Sequence, residues 1–474
     1  MRRAACTLLA AALVAGCAVG PDYERPAFES PERWRIDYPQ AAEVANVPWW
    51  EHFGDPVLDK LIVDALIENR DVLIAAARVD QFIGQLTATR SQFYPQVGYS
   101  LDASSNRSSR VGQPPLAPGA DPYYSLYQGA LGANWQLDLF GRVRRQSEAA
   151  QAQVFASEQG RRGVVLSLVT SVASSYIALR ALDRQLDIAR AAAQNYGDTQ
   201  RIFELRYKGG VVSEVELRQV ESQYQQALAA IPSLELQVAS LENLLSVLLG
   251  RNAGPIPRGR AIDQLASPAI PGDMPSTLIE RRPDIRQAEQ ALVVANANIG
   301  AAKALYFPNL SLTGVLGSVS TALSDFLTGP ATSASIAAGL AGPIFTFGAI
   351  SGQVDTAEAA QREALAIYQR TILNALRETN DALLGSVKKR EEAEAQAKRV
   401  TALRDYARLS RVRFDNGYAG YLEVLYAENE LFGAELTAVR SQAERYTQIV
   451  NVYQALGGGW VDQADLLAPQ PLLR

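Results

Sequence analysis

The sequence predicts a mainly α-helical chain that also supplies one part of a membrane β-barrel, and three observations predict it. First, the 474-residue chain is an internal tandem duplication. Asp71-Val72 and Tyr94-Pro95 recur 213 residues on as Asp284-Ile285 and Phe307-Pro308. Phe140-Gly141, Arg206-Tyr207, Gly210 and Glu216 recur 207 residues on as Phe347-Gly348, Arg413-Phe414, Gly417 and Glu423. A repeat of that length is far longer than a solenoid unit. Second, each half holds two stretches in which apolar and polar residues alternate. Third, no proline interrupts the segments between Pro122 and Pro232 or between Pro343 and Pro469.

In chain order, residues 1–16 read as a signal peptide. Arg2 and Arg3 form a positive start, and Ala4 to Ala15 form an apolar stretch too short to span a bilayer. Leu13-Val14-Ala15-Gly16-Cys17 resembles a bacterial lipobox, which implies a covalent lipid on Cys17. Ala18 in place of aspartate then favours the outer membrane over retention in the inner one. Acyl chains hold a protein to a bilayer through their buried methylenes. Residues 17–65 are expected as a lipid-anchored segment, 66–257 as the first repeat, 258–460 as the second and 461–474 as a C-terminal tail.

Strands are expected at about 96–108 and 125–140 in the first repeat, and at about 309–319 and 335–345 in the second. Val97, Tyr99, Leu101 and Ala103 alternate with Gly98, Ser100, Asp102 and Ser104; Leu131, Ala133, Trp135, Leu137 and Leu139 alternate with Gly132, Asn134, Gln136 and Asp138. Period-2 alternation gives one apolar and one polar face. Four strands cannot close a barrel, and an open sheet edge in lipid leaves backbone groups unpaired. Two copies give eight strands, whose interior side chains fill; three give twelve and leave a passage. The apolar face would meet lipid, and Asp102, Asn134, Gln136 and Asp138 would face water. A soluble sandwich is the rival reading, but four strands are few for a sandwich core.

From Arg142 to Tyr207 the chain is rich in Ala, Gln, Arg, Leu and Glu. As one helix this segment would extend roughly 100 Å, which suits a tubular array rather than a compact globule. Each long helix is expected to turn at glycine, with tips at about 207–213 and 414–420. Gly210 and Gly417 suit the left-handed closing position. Ser213 with Glu216 reads as a capping box. After the signal no run of eighteen apolar residues occurs, so no transmembrane helix is expected.

Composition excludes several functions. The net charge is −5, so nothing suggests nucleic acid. Cys6 and Cys17 are the only cysteines and His52 the only histidine, which leaves no cysteine metal site, no His-rich zinc site and little room for a hydrolytic triad. His52, beside Pro48-Trp49-Trp50, reads as structural. In "RRPDIRQAEQ" (281–290) Pro283 and Asp284 fit a first helical turn, with the arginines paired to carboxylates.

The combination of "CAVGPDYERP" (17–26), "WWEHFGDPVLDKLI" (49–62), "RRPDIRQAEQ", the doubled aromatic-proline junctions and the doubled glycine turns resembles the outer-membrane efflux proteins. These are the TolC-like channels, here in the lipoprotein branch that serves resistance-nodulation-division pumps. The resemblance implies a homotrimer with a twelve-stranded barrel, four strands per chain, continued by a long α-helical barrel. It implies an exit duct in the outer membrane of a Gram-negative bacterium, with no catalytic role and no cofactor beyond the lipid on Cys17. Its partners would be a periplasmic adaptor and an inner-membrane, proton-driven transporter. By resemblance Arg206, Gly210, Ser213, Leu217, Arg413, Gly417 and Leu425 form adaptor-docking tips, with Gly420 where the first repeat has serine. Leu422 matches an apolar constriction and Glu423 an acidic gate, as a ring of three carboxylates. Such a ring favours cations. Tyr426, which stands where relatives often carry a second aspartate, is expected in the same aperture as a steric ring, and Phe414 lacks a hydroxyl that some relatives use as a latch. A second reading leaves Glu423 as a charge at a helix start. Alternatives in function are a type I secretion or other export duct, a periplasmic coiled-coil lipoprotein, and an outer-membrane barrel hydrolase.

Overall fold

The computed structural model describes residues 18–28, 34, 48–111, 116–270, 280–457 and 459–473. The signal peptide and Cys17 lie outside the described residues. Among the described residues eight α-helices and four strands follow in order: α1 Pro56–Glu68, α2 Arg70–Ser91, β1 Gln96–Arg107, β2 Tyr123–Leu137, α3 Arg142–Lys208, α4 Glu214–Leu248, α5 Pro283–Lys303, β3 Asn309–Ser320, β4 Thr332–Ala341, α6 Ala349–Asp415, α7 Tyr421–Leu456 and α8 Trp460–Leu467. The duplication is visible in this order: α2-β1-β2-α3-α4 repeats as α5-β3-β4-α6-α7.

The strands form one antiparallel sheet in the order β1-β2-β3-β4. Its register carries the alternation across all four. One face aligns Tyr99, Leu131, Leu316 and Ala334; the other aligns Ser100, Ala130, Gly317 and Ser333. The central β2–β3 pairing joins the two repeats, while β1 and β4 are the sheet's edges.

Two strand ends differ from expectation. β2 stops at Leu137, because Asp138 leaves the ladder and its carboxylate accepts the Arg144 backbone N–H at 2.9 Å, capping the start of α3. Asp138 and Leu139 therefore belong to the strand–helix joint, not to the two faces. β4 stops at Ala341, two residues before Pro343, which has no N–H for a ladder; Ile344 is fully exposed in the joint that follows. Phe140, just after β2, stacks on Phe307, just before β3, at 4.6 Å.

Both α3 and α6 are 67 residues long, so each extends roughly 100 Å. Their lower halves turn back as α4 and α7, forming two helical hairpins. The main core sits midway along the helices. Trp49 stacks on Tyr453 at 5.1 Å and meets Trp50 and Trp460 edge-on, with Phe53 against Tyr446. Val165, Val169, Val172, Tyr176 and Ile177 of α3 complete it. This explains a departure from the sequence reading: one window of α3 is apolar enough in length and composition to cross a membrane, but 56 % of it is buried in this core.

Residues 19–22 and 461–473 are pinned to the helices. Arg145, 5 % exposed, donates to the carbonyls of Val19 and Gly20 and to Asp22, and also bonds Glu148. The stretch expected as a C-terminal tail opens in α8, whose Asp465 meets the buried Arg161 at 2.8 Å; farther on, the Leu472 and Leu473 N–H groups donate to Asp80. Arg282 grips Asp284 bidentately at 3.0 and 2.7 Å, reaches Glu378 at 2.8 Å and donates to the Ala455 carbonyl. It ties the start of α5 to α6 and to the end of α7. His52 is exposed on the turn Trp49–Phe53, between buried tryptophans and Phe53.

Candidate functional site

Two regions carry the chemistry that a duct needs, the sheet and the hairpin tips. On the sheet, 49 residues in four strands include only two charged side chains, Asp102 on the polar face and Arg107 on the apolar one. Arg107 sits at the far end of β1, with its guanidinium 5.6 Å from the Tyr123 ring centre. A cation and an aromatic at the end of an apolar band suit a membrane–water boundary. At the opposite end, the Trp135 indole donates to the Phe93 carbonyl at 2.8 Å and fixes the sheet to the end of α2.

At the tips the two repeats build the same turn. Gly210 has φ 71° and Gly417 φ 75°, left-handed positions that a side chain would strain. The Val211 N–H bonds the Arg206 carbonyl at 2.9 Å, and the Tyr418 N–H bonds the Arg413 carbonyl at 2.8 Å, so both helices close in the same six-to-one pattern. The next helices start differently. Ser213 and Glu216 form a reciprocal capping box, whereas Gly420 offers no side-chain cap.

The sequence-predicted tip residues divide into two environments. Leu217 is 9 % exposed and packs with Phe203, Val220, Tyr421 and Val424; Leu425 is partly buried against the same cluster. Arg206 lies between rings, 5.8 Å from the centre of Phe203 and 5.7 Å from that of Phe414, while Phe414 meets Tyr421 edge-on at 5.2 Å. These three side chains hold the chain's own two tips together. Phe414, without a hydroxyl, serves here as a face for a cation. The exposed apolar side chains instead include Leu205, Val211 and Val215 on the first tip and Tyr418, Leu422 and Tyr426 on the second. Of these, sequence reasoning named only Leu422 and Tyr426. Val211 and Tyr418 were recognisable as apolar residues inside glycine turns, where nothing within the turn can bury them.

Glu423 stands at the first turn of α7, and Arg413 reaches its carboxylate at 2.8 Å. The expected bare carboxylate is thus half of an ion pair within the chain. One turn deeper, Glu428 lies 3.5 Å from Arg411; burial pushes its carboxyl upward, and the arginine opposes the shift. Tyr421 beside it is pushed up to about 12, by burial first and then by Glu428. Glu428 and Arg411 face a groove of about 480 Å³ between α3, α6 and α7, into which Arg184, Arg404 and Glu435 also project. Among the described residues no cluster of His, Cys, Asp or Glu could hold a metal ion. Cys17, the expected lipid site, lies outside the described residues.

Comparison with known proteins gives this geometry its family. The profile described as Outer membrane efflux protein matches residues 61–251 and 274–458, one match to each repeat. The "Probable efflux pump outer membrane protein TtgC" of Pseudomonas putida is 33 % identical over 464 residues, covering 95 % of this chain and 94 % of that protein. The "Cation efflux system protein CusC" of Escherichia coli is 31 % identical, covering 94 % and 96 %. The "Probable outer membrane lipoprotein SilC" of Salmonella typhimurium is 31 % identical, covering 95 % and 97 %. Crystal structures agree: one of CusC superposes with a TM-score of 0.83 over 93 % of this chain and 100 % of that one at 31 % identity. The open-state MtrE channel of Neisseria gonorrhoeae gives 0.85 over 94 % and 99 % at 29 % identity. The chain therefore belongs to the outer membrane efflux protein family and forms an outer-membrane exit duct of an efflux system.

Proposed function

We propose that the duct is a homotrimer whose three sheets close into one twelve-stranded barrel. The observation that carries this is the sheet itself: four antiparallel strands, one apolar face, and two edges, β1 and β4, with no partner strand among the described residues. Lipid cannot satisfy those edge groups, and β1 of one copy is a ready partner for β4 of the next. Twelve strands leave an open lumen where eight would be filled.

In this reading Cys17 carries a lipid that fastens the chain to the outer membrane, and the Arg145 grip on residues 19–22 holds the anchored end at the strand–helix joint. The exposed apolar residues of both tips meet the end of a periplasmic adaptor, which couples the duct to an inner-membrane, proton-driven transporter. Leu422 and Tyr426 project where three second hairpins would converge, and the Arg413–Glu423 pairs ring the aperture. Passage is passive, and the chain has no catalytic role. Small organic molecules are the cargo that best suits the wall. Beyond Cys17 the chain has one methionine, Met274, and one histidine, His52, too few soft ligands to relay a metal ion along a conduit.

Cysteine trapping tests the assembly. Ser100→Cys on β1 is combined in turn with Ser333→Cys, Ser335→Cys or Ala337→Cys on β4, in membranes under mild oxidation. One pairing is expected to give a covalent ladder that stops at three chains. A ladder that stops at two, continues past three or never forms for any pairing would overturn the trimer.

A further inference from the structure

We infer that Asp102 sets the ionic preference of the barrel lumen, favouring cationic over anionic cargo in the last stage of export. This inference rests on the twelve-stranded reading above. It starts from the removal of a neighbour: the alternation placed Asp138 on the polar face, but Asp138 caps α3 outside the sheet. What remains on that face is uncharged, and its middle is lined by small residues. The rows that run across it are Gly98, Gly132, Val315 and Ser335, then Ser100, Ala130, Gly317 and Ser333. Asp102 is the one charged side chain on that face. It is exposed and makes no ion pair among the described residues. Arg107, the other strand charge, points to the opposite face and leans on Tyr123. Arg110, Asp121 and Asp325 lie in the connections beyond the strands.

Three copies would give one ring of three carboxylates in an otherwise uncharged tube. Its strength follows from size. Twelve strands about 4.8 Å apart enclose a circle at least roughly 18 Å across. The carboxylates are then separated by more than the Debye length of about 8 Å in physiological salt. Each acts nearly alone, as a local attractor along its own wall rather than as a selective filter. The preference is consequently modest and fades with salt. Neutral cargo is unaffected, which suits a duct that must pass varied molecules without holding them.

Local reactivity reads this potential directly. Ser104→Cys places a thiol on the same face, about 7 Å along the strand from Asp102. Leu101→Cys places one on the lipid face as a control. Cys17 is present in every variant and cancels. Rates of modification by cationic and anionic methanethiosulfonates of equal size are measured on the Ser104→Cys duct, with Asp102 intact and with Asp102→Asn. At that distance the cation-to-anion rate ratio is expected to be about two- to threefold higher with Asp102 in 0.15 M salt, and to converge in 1 M salt. A ratio unchanged by Asp102→Asn would overturn the inference and leave the barrel intact. If Leu101→Cys reacts as fast as Ser104→Cys, the faces of the barrel are wrong and both readings fall.

Discussion

The two helical hairpins descend from one ancestral half, yet they are held together by different forces. The first, α3 with α4, closes through an apolar seam: Leu186, Ala189, Ala193, Tyr196, Ala227 and Leu234 are all buried. Its tip starts from a full capping box; among the described residues one direct ion pair, Arg190–Glu235 at 2.7 Å, joins the two helices, and Arg258 bridges Asp183 of α3 to Glu242 of α4. The second, α6 with α7, is laced by ion pairs: Lys389–Glu444, Arg399–Glu430, Arg404–Glu435, Arg411–Glu428 and Arg413–Glu423. Its tip starts from a glycine with no cap. Apolar seams have one dry, close-packed arrangement, whereas partly exposed ion pairs are weak and exchange partners with water and salt at little cost. The first hairpin is therefore the fixed member and the second the adjustable one.

The largest expected effect comes from wetting the fixed seam. Ala227 is fully buried against Ala193 and Tyr196, so Ala227→Asp leaves an unpaired charge there and should cost on the order of 3–5 kcal/mol. Thermal melting of the detergent-solubilised duct checks it. The counterpart lesion in the second hairpin, Glu435→Gln, removes one partly exposed pair and should cost no more than about 1 kcal/mol. Similar losses from both would erase the distinction.

Arg206 is the link between the hairpins, since its guanidinium faces one ring from α3 and another from α6. Arg206→Ala should loosen both tips by about 1–2 kcal/mol, read as faster amide hydrogen exchange over 203–217 and 414–424 together. Faster exchange in the first hairpin alone would assign Arg206 to its own helix.

The smallest effect sharpens the difference in capping. Gly420→Ser gives the second tip the cap that the first already has, and should stabilise it by a few tenths of a kcal/mol. Slower exchange of the Glu423 amide, with no change at Glu216, is the expected result; a change at both would show that the tips are not independently capped.

What the sequence revealed depended on whether a signal was local. The alternating strands, the left-handed glycines and the Ser213–Glu216 box are each visible within a few residues, and the duplication shows as short phrases that recur far along the chain. The strand ends were not, because Asp138 continues the alternation in phase and only the folded joint shows it bonding Arg144. The Arg206 sandwich was illegible for another reason: Phe203, Phe414 and Tyr421 come from three helices more than two hundred residues apart at the extreme, and the arginine alone reads as a surface charge. Arg413 was hidden as the partner of Glu423 for a different reason: only 10 residues separate them, but the turn between α6 and α7 decides which side chains of the two helices meet. α8 was missed because an eight-residue helix behind three glycines carries too little periodicity to announce itself, and its stability comes from docking on Arg161 rather than from its own turns.

The two open sheet edges also impose an order of events. A single copy inserted into lipid would expose the backbone groups of β1 and β4 with no water to satisfy them. Under the trimer reading, insertion and association are one transition, not two. The helical portion, with its own aromatic core, can form first in the periplasm and wait. Assembly then becomes a concentration-dependent commitment: a cell with too few copies would accumulate folded helices carrying uninserted strands, and the quantity of duct in the membrane would rise more steeply than the quantity of chain made.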